Sequence, residues 1–264
     1  MNTFIHLSDL HIRWHKNAAE NRSLQFVVEQ IVQTYDQQEK PAVLITGDLT
    51  DDGRKDQYHH AANLLYPLKE KGFPLFIVPG NHDYGPEGNI YLDVALRNFE
   101  QIILRDLLGH NVPETGEFYP HIVELGSLVF VGVDSVVANE DQPVHFASGE
   151  VGPLQRRLLR EALCKYLNTD KTIVTYFHHH PFDRHRVMKL DDATEMMQLL
   201  SGRTDFLCFG HDHVEQRWED YMGIDYILAS GKSTEQNRRG QYVYTEVTVK
   251  GKGQHAVTRR SFKR

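Results

Sequence analysis

The sequence predicts a layered α/β domain, and three observations carry that expectation. Short runs of β-branched and aromatic residues recur along the chain as strand candidates. Segments of helical period separate several of them, the alternation that βαβ crossovers produce. Five strand ends run directly into short turns rich in aspartate, asparagine and histidine, as expected where loops beyond the strand ends build a site.

Strands are expected at 3–7, 42–46, 75–78, 128–133, 172–177 and 206–209. After the first, "NRSLQFVVEQIVQTYDQ" lines up Leu24, Val27, Val28, Ile31, Val32 and Tyr35 along one side, which predicts an amphipathic helix. "KDQYHHAANLLYPLKE" and "PLQRRLLREALCKYL" repeat the pattern, and Pro153 suits the first turn of the latter. A further helical segment is expected around 94–108, followed by a long polar loop at 136–149. Towards the C-terminus "IDYILAS", "QYVYTEVTVK" and "QHAVTRRSF" read as consecutive strands of an antiparallel sheet. No repeat, low-complexity linker or composition break divides the chain, so a single domain over 1–264 is expected.

Composition narrows the function classes. With 40% hydrophobic and 25% charged residues the chain is an ordinary globular protein. No apolar stretch reaches the ~18 residues of a membrane span, and "MNTFIHLSDLHI" lacks the basic and apolar regions of a secretory signal. Cys164 and Cys208 sit in apolar contexts and read as reduced core residues, which together with the missing signal predicts a cytoplasmic protein. A net charge of −7 argues against a nucleic-acid backbone as the ligand. Sixteen histidines are many for 264 residues, and seven of them fall in four short turn-like segments.

The turns hold the chemistry. Asp9 and His11 follow the first strand, Asp48 in "GDLTDDG" the second, and Asn81, His82 and Asp83 in "GNHD" the third. His178, His179 and His180 follow the strand at 172–177, and His211 and His213 in "GHDH" the strand at 206–209. Singly, Asp-X-His is a common surface turn and "GDLTDDG" a plausible tight one. Five such clusters at one sheet edge read instead as a two-metal centre. Carboxylate, imidazole and amide donors suit Mn, Fe or Zn, and neither cysteine joins the clusters. Two metals ~3.5–4 Å apart bridge a hydroxide and clamp a phosphoryl group, and Asp48 is the natural carboxylate to hold them together.

The order Asp-X-His, Gly-Asp, Gly-Asn-His-Asp, His-His-Pro, Gly-His-X-His resembles the calcineurin-like metallophosphoesterase superfamily from Asp9 to His213. The "GDLTDDGRKDQY", "HHP" and "GHDH" blocks are most similar to its class III cyclic-nucleotide and glycerophosphodiester phosphodiesterase branch. The resemblance implies a four-layer αββα sandwich with two divalent metals at the sheet edge. Asp9, His11 and His213 would hold one metal and Asn81, His179 and His211 the other, with Asp48 bridging them. It places the histidine ligand two residues before the proline, hence His179. Strand alternation is consistent with a lone ligand there, since it turns His179 away from His178 and His180. His82 would face the substrate and act on the leaving group, with Asp83 orienting it. The chain departs from the branch at Phe182, where a second proline is usual.

The function implied is hydrolysis of a small phosphodiester by a metal-bridging hydroxide. A phosphomonoesterase or a nuclease on the same centre is the alternative, and a non-catalytic scaffold is disfavoured because the donor set is complete. Arg184, Arg186, Arg238, Arg239, Tyr84 and His145 are further candidates for the substrate pocket. His59 and His60 read as features of a helix surface.

Overall fold

The computed structural model describes residues 2–113, 118–136, 144, 147–182, 185, 187–251 and 253–264. Strands β1 (Thr3–Leu7), β2 (Ala42–Thr46) and β3 (Leu75–Val78) pair in parallel. Antiparallel strands β10 (Tyr242–Gly251) and β11 (Gln254–Phe262) extend them into a five-stranded sheet, ordered β11-β10-β1-β2-β3. The second sheet has six strands in the order β4-β5-β6-β7-β9-β8. Its parallel centre is β5 (Leu128–Gly132), β6 (Thr172–Tyr176), β7 (Phe206–Phe209) and β9 (Ile224–Ala229). Its antiparallel edges are β4 (His121–Leu125) and β8 (Gln216–Tyr221).

The central strands of each sheet are buried on both faces, which is why they read as continuous apolar runs. Phe4, Leu44, Phe76 and Val78 of the first sheet meet Phe130, Val174, Tyr176, Phe206 and Cys208 of the second. There the Phe76 and Phe130 rings stack at 4.3 Å between centroids. The alternate residues Ile5, Leu7, Val43 and Ile45 pack outward on α1 (Ala19–Thr34), α2 (Lys55–Glu70) and the segment Phe99–Leu107. On the far side Val129, Val131, Ile173 and Phe177 pack on α4 (Pro153–Cys164) and α5 (Ala193–Leu200). The layers are therefore αββα, as the resemblance implies.

Three sequence expectations change. The C-terminal strands do not form one sheet: β9 runs parallel to β7 in the second sheet, while β10 and β11 close the first. Apolar content alone cannot tell which sheet a strand joins. The helix around 94–108 is a short α3 (Asp93–Asn98) continued as a π-helix over Phe99–Leu107. The strands expected to end at Val133 and Phe177 stop one residue earlier, although Val133 N–H and Phe177 N–H still bond to the Tyr176 and Cys208 carbonyls.

Candidate metal centre

The C-terminal ends of β1, β2, β3, β6 and β7 converge on one edge of the sandwich, and the backbone there is strained. Asp9 (φ 54°), His11 (47°), Asp48 (50°), His211 (79°) and His213 (56°) all occupy the left-handed region. That conformation costs about 1–3 kcal/mol for a residue with a side chain and collects at functional sites. Every one of the five is an expected ligand. Glycine permits the crowding: a Cβ on Gly80 would come within 2.2 Å of Asp48 Oδ1, and one on Gly210 within 1.9 Å of Ser8 Oγ.

Hydrogen bonds fix which atoms face inward. His178 Nδ1 lies 2.8 Å from the Thr46 carbonyl oxygen, which only accepts, so Nδ1 carries a proton. His178 Nε2 then faces Asn81 Oδ1 at 3.0 Å, His211 Nδ1 at 3.1 Å and Asp48 Oδ2 at 3.4 Å. His211 donates its Nε2–H to the Met188 carbonyl at 3.0 Å, which leaves Nδ1 as a lone pair. Asn81 donates Nδ2–H to the Gly88 carbonyl, which turns its oxygen inward. Four acceptor atoms thus converge around one point, an arrangement that demands a positive charge.

A second set adjoins the first. One donor atom each from Asp9, His11, Asp48 and His213 lies within 4.8 Å of all the others. His11 Nε2 is 2.9 Å from His213 Nε2 and 3.6 Å from Asp48 Oδ2, and His213 Nε2 is 3.5 Å from Asp9 Oδ1. Asp48 Oδ2 belongs to both sets, the position a bridging carboxylate needs. Oxygen and imidazole donors held by carbonyls and backbone N–H groups fit a pair of divalent cations.

The protonation equilibria of these groups follow from the same field. Burial works to lower His178, but the Asp48 and Asp9 carboxylates outweigh it and raise the imidazole to about 9. Burial and the neighbouring His178 charge push His211 down to about 4. Asp48 is held well below the ordinary carboxylate range; burial opposes this, and His178 and His82 more than offset it. A proton on His178 and a divalent cation would therefore answer the same cluster of acceptors.

The structure brings together Asp9, His11, Asp48, Asn81, His211 and His213, and it puts His178 where His179 was expected. Strand register explains this. Val174 and Tyr176 face the space between the sheets, so His178 continues that face towards Asp48 and Asn81. Ile173 and Phe177 face the helices, and His179 falls on their side of the alternation. Ser135 Oγ accepts N–H bonds from His178 and His179, both at 3.2 Å, and lies 2.8 Å from His179 Nδ1. Ser135 Oγ thus holds the backbone of both histidines and the ring of His179. His180 joins an aromatic cluster with Phe209, Phe182 and Trp218 instead.

His82 stands at the rim, half-buried. Its N–H donates to Asp48 Oδ1 at 3.0 Å, and its Nδ1 donates to the Asp51 carbonyl at 2.8 Å, which makes Nε2 the lone-pair nitrogen of the neutral ring. Asp83 was expected to orient His82, but its carboxylate is used otherwise. It accepts from the N–H groups of Leu49, Thr50 and Gly80 and from Thr50 Oγ1, clamping the turns that carry Asp48 and Asn81. Burial and the Asp48 charge push its carboxyl up to about 6 against those bonds.

Asp51 is the residue sequence reasoning missed. Its carbonyl holds His82, and its carboxylate lies 3.6 Å from both His11 Nδ1 and Arg13 Nη2. The one available signal is its place three residues after Asp48 in "GDLTDDG". Of the remaining candidates, Tyr84 is buried and donates to Asp134 Oδ2 at 2.6 Å, and Arg238 and Arg239 are exposed on the loop after β9. His59 is exposed on α2, and His60 Nδ1 donates to the Arg13 carbonyl. Phe182 packs against Trp218 and Tyr221 at 5.4 and 5.5 Å. His145, Arg184 and Arg186 lie outside the described residues.

Known proteins resemble this chain to different degrees. The model of the calcineurin-like phosphoesterase family matches residues 3–215. A 3′,5′-cyclic adenosine monophosphate phosphodiesterase of Haemophilus influenzae is 26% identical over 191 residues, which cover 68% of this chain and 58% of that protein. A probable cyclic nucleotide phosphodiesterase of Xenorhabdus bovienii is 23% identical over 226 residues, covering 81% of this chain and 79% of its own. The match thus spans less than two thirds of the first relative's length. Among solved structures, a dimetal phosphatase from Danio rerio superposes with a TM-score of 0.72 at 15% identity, covering 99% of this chain and 98% of that one. A purple acid phosphatase from yellow lupin gives 0.64 at 12% identity, covering 98% of this chain and 51% of that one. At such identities the structures show a common fold. No helix among the described residues is long and apolar enough to cross a membrane.

Proposed function

Because the chain belongs to the calcineurin-like phosphoesterase family, we propose that it is a metal-dependent phosphodiesterase acting on small phosphodiesters, of the cyclic-nucleotide or glycerophosphodiester kind. The observation that carries the reading is the pair of donor sets sharing Asp48 Oδ2, with the His82 ring fixed beside them through Nδ1. Asp9, His11 and His213 would hold one cation and Asn81, His178 and His211 the other, with Asp48 shared between them. This set replaces His179 with His178. The donors suit Mn, Fe or Zn. When bound, the cations supply Lewis-acid stabilisation of charge on a phosphoryl group and acidify water.

The chain's own residues do the rest. His82, fixed through Nδ1 by the Asp51 carbonyl, presents Nε2 to a phosphoryl oxygen or a leaving alkoxide, which it stabilises or protonates. Asp83 keeps the Asp48 and Asn81 turns in register. Diester preference is supported by what the two curated relatives are named for, and a cytoplasmic setting by free Cys164 and Cys208. The deciding experiment is hydrolysis of bis-para-nitrophenyl phosphate against para-nitrophenyl phosphate with added Mn, Zn or Fe, alongside elemental analysis. Faster turnover of the monoester would replace the diester reading with a phosphomonoesterase. Cleavage of single-stranded DNA in preference to both would make it a nuclease.

A further inference from the structure

Beside the metal centre lies an open cavity of about 270 Å³ that the hydrolytic reading does not use. Its wall on the centre's side is His213, whose other face meets Asp9 and His11. The remaining charged groups are Glu215, Lys232, Glu235, Arg238 and Arg259. Three cations therefore stand against two carboxylates, and Glu215 is already committed, accepting from Arg259 Nε at 2.7 and 2.9 Å. Arg238 has no ion pair among the described residues, and Lys232 Nζ is 3.7 Å from Glu20, too long for a hydrogen bond.

The loop that brings Lys232 and Arg238 is tied to the centre itself. Ser233 N–H donates to the Ser8 carbonyl at 3.0 Å, and Ser8 N–H donates to Ser233 Oγ at 2.9 Å. Thr234 Oγ1 donates to the Leu10 carbonyl. These bonds fasten the loop to the turn that carries Asp9 and His11, so cavity and donors keep one relative geometry.

We infer that this cavity is a subsite for a second anionic group of the substrate, one linker away from the phosphoryl group held at the metals. A guanidinium and an ammonium with spare donors are the groups that recognise phosphate or carboxylate. A diester carrying a further phosphate fills the site across His213, whereas a diester without one leaves Arg238 solvated and Lys232 beside Glu20. The inference rests on the proposed phosphoesterase reading and names the substrate class within it.

Binding tests it without requiring turnover. Calorimetry on the full-length, Mn-loaded protein compares thymidine 3′,5′-bisphosphate with thymidine 5′-monophosphate. The bisphosphate is expected to bind about tenfold more tightly, the effect of one or two charge-assisted hydrogen bonds. Arg238→Gln, an exposed position with no ion pair among the described residues, is expected to remove most of that preference, and Lys232→Gln the rest. Lys171→Gln, at the opposite end of the second sheet, is expected to keep it. Equal binding of the two nucleotides by the wild type would overturn the subsite, and so would an equal loss in Lys171→Gln, which would signal a general field. Failure of the phosphoesterase reading would show separately, as no hydrolysis of bis-para-nitrophenyl phosphate despite intact nucleotide binding.

Discussion

His178 Nε2 and His211 Nδ1 face each other at 3.1 Å, and each ring donates its other nitrogen to a backbone carbonyl. Two imidazoles so held cannot satisfy one another unless a proton or a cation sits between them. Asp48 Oδ2 and Asn81 Oδ1 close the same space. The expected consequence is specific to one member of the histidine triplet. His178→Ala should lose one metal equivalent on elemental analysis after gel filtration, and activity with it. His179→Gln, which keeps a hydrogen-bonding group for Ser135 Oγ, should retain both metals. Full metal content in His178→Ala would return the ligand role to its neighbour.

Metal affinity should fall with acid for a reason that can be located. His178 sits at about 9 in the metal-free protein, so below that pH a cation must displace its proton. Each unit of pH removed should therefore weaken binding up to about tenfold from this group alone, and raising the pH should strengthen it until about 9. Chelator-competition titrations between about pH 6 and 8 read the slope. A flat profile would mean that no proton is displaced from His178.

His82→Ala should keep both metals yet lose roughly 10²–10⁴-fold in kcat, the usual contribution of a positioned proton donor. Asp83→Ala should act differently. It strips acceptors from three buried backbone N–H groups and a hydroxyl, each costing on the order of 1–3 kcal/mol when left unsatisfied. Lower unfolding midpoints in urea together with weaker metal retention are expected for Asp83→Ala, and an unchanged midpoint for His82→Ala. If instead only kcat falls in Asp83→Ala, it orients His82 after all.

The contrast between His178 and His179 shows what was legible beforehand. Motif order located the turns, and strand alternation separated the middle histidine from its neighbours. Which face looked at the other sheet was hidden, because "TIVTYF" is apolar on both sides: Val174 and Tyr176 bury between sheets, Ile173 and Phe177 beneath helices. A strand buried on both faces erases the polarity that would orient it. The carbonyls of Thr46, Met188 and Asp51, which set three histidine tautomers, are equally invisible, since any residue type supplies a carbonyl. The placement of β9 beside β7 rather than β10 was lost for the same reason as the histidine face.

Acid stability should carry the mark of His6. This histidine is fully buried between the sheets, its Nε2 2.9 Å from Thr46 Oγ1, and burial lowers it from 6.5 to about 3, with Asp9 opposing weakly. The folded chain thus refuses a proton that the unfolded chain accepts below about pH 6.5. Stability from this group is complete at higher pH, falls as pH drops from about 6.5 and continues to fall towards about 3. The limiting slope is about 1.4 kcal/mol per pH unit, or roughly 1–2 kcal/mol between neutral pH and about 5. His6→Gln keeps a donor for the Thr46 hydroxyl but cannot titrate. Urea unfolding of metal-free wild type and His6→Gln at about pH 7 and 5 should show a smaller acid loss in the variant. Parallel losses in the two proteins would assign the acid sensitivity to other groups.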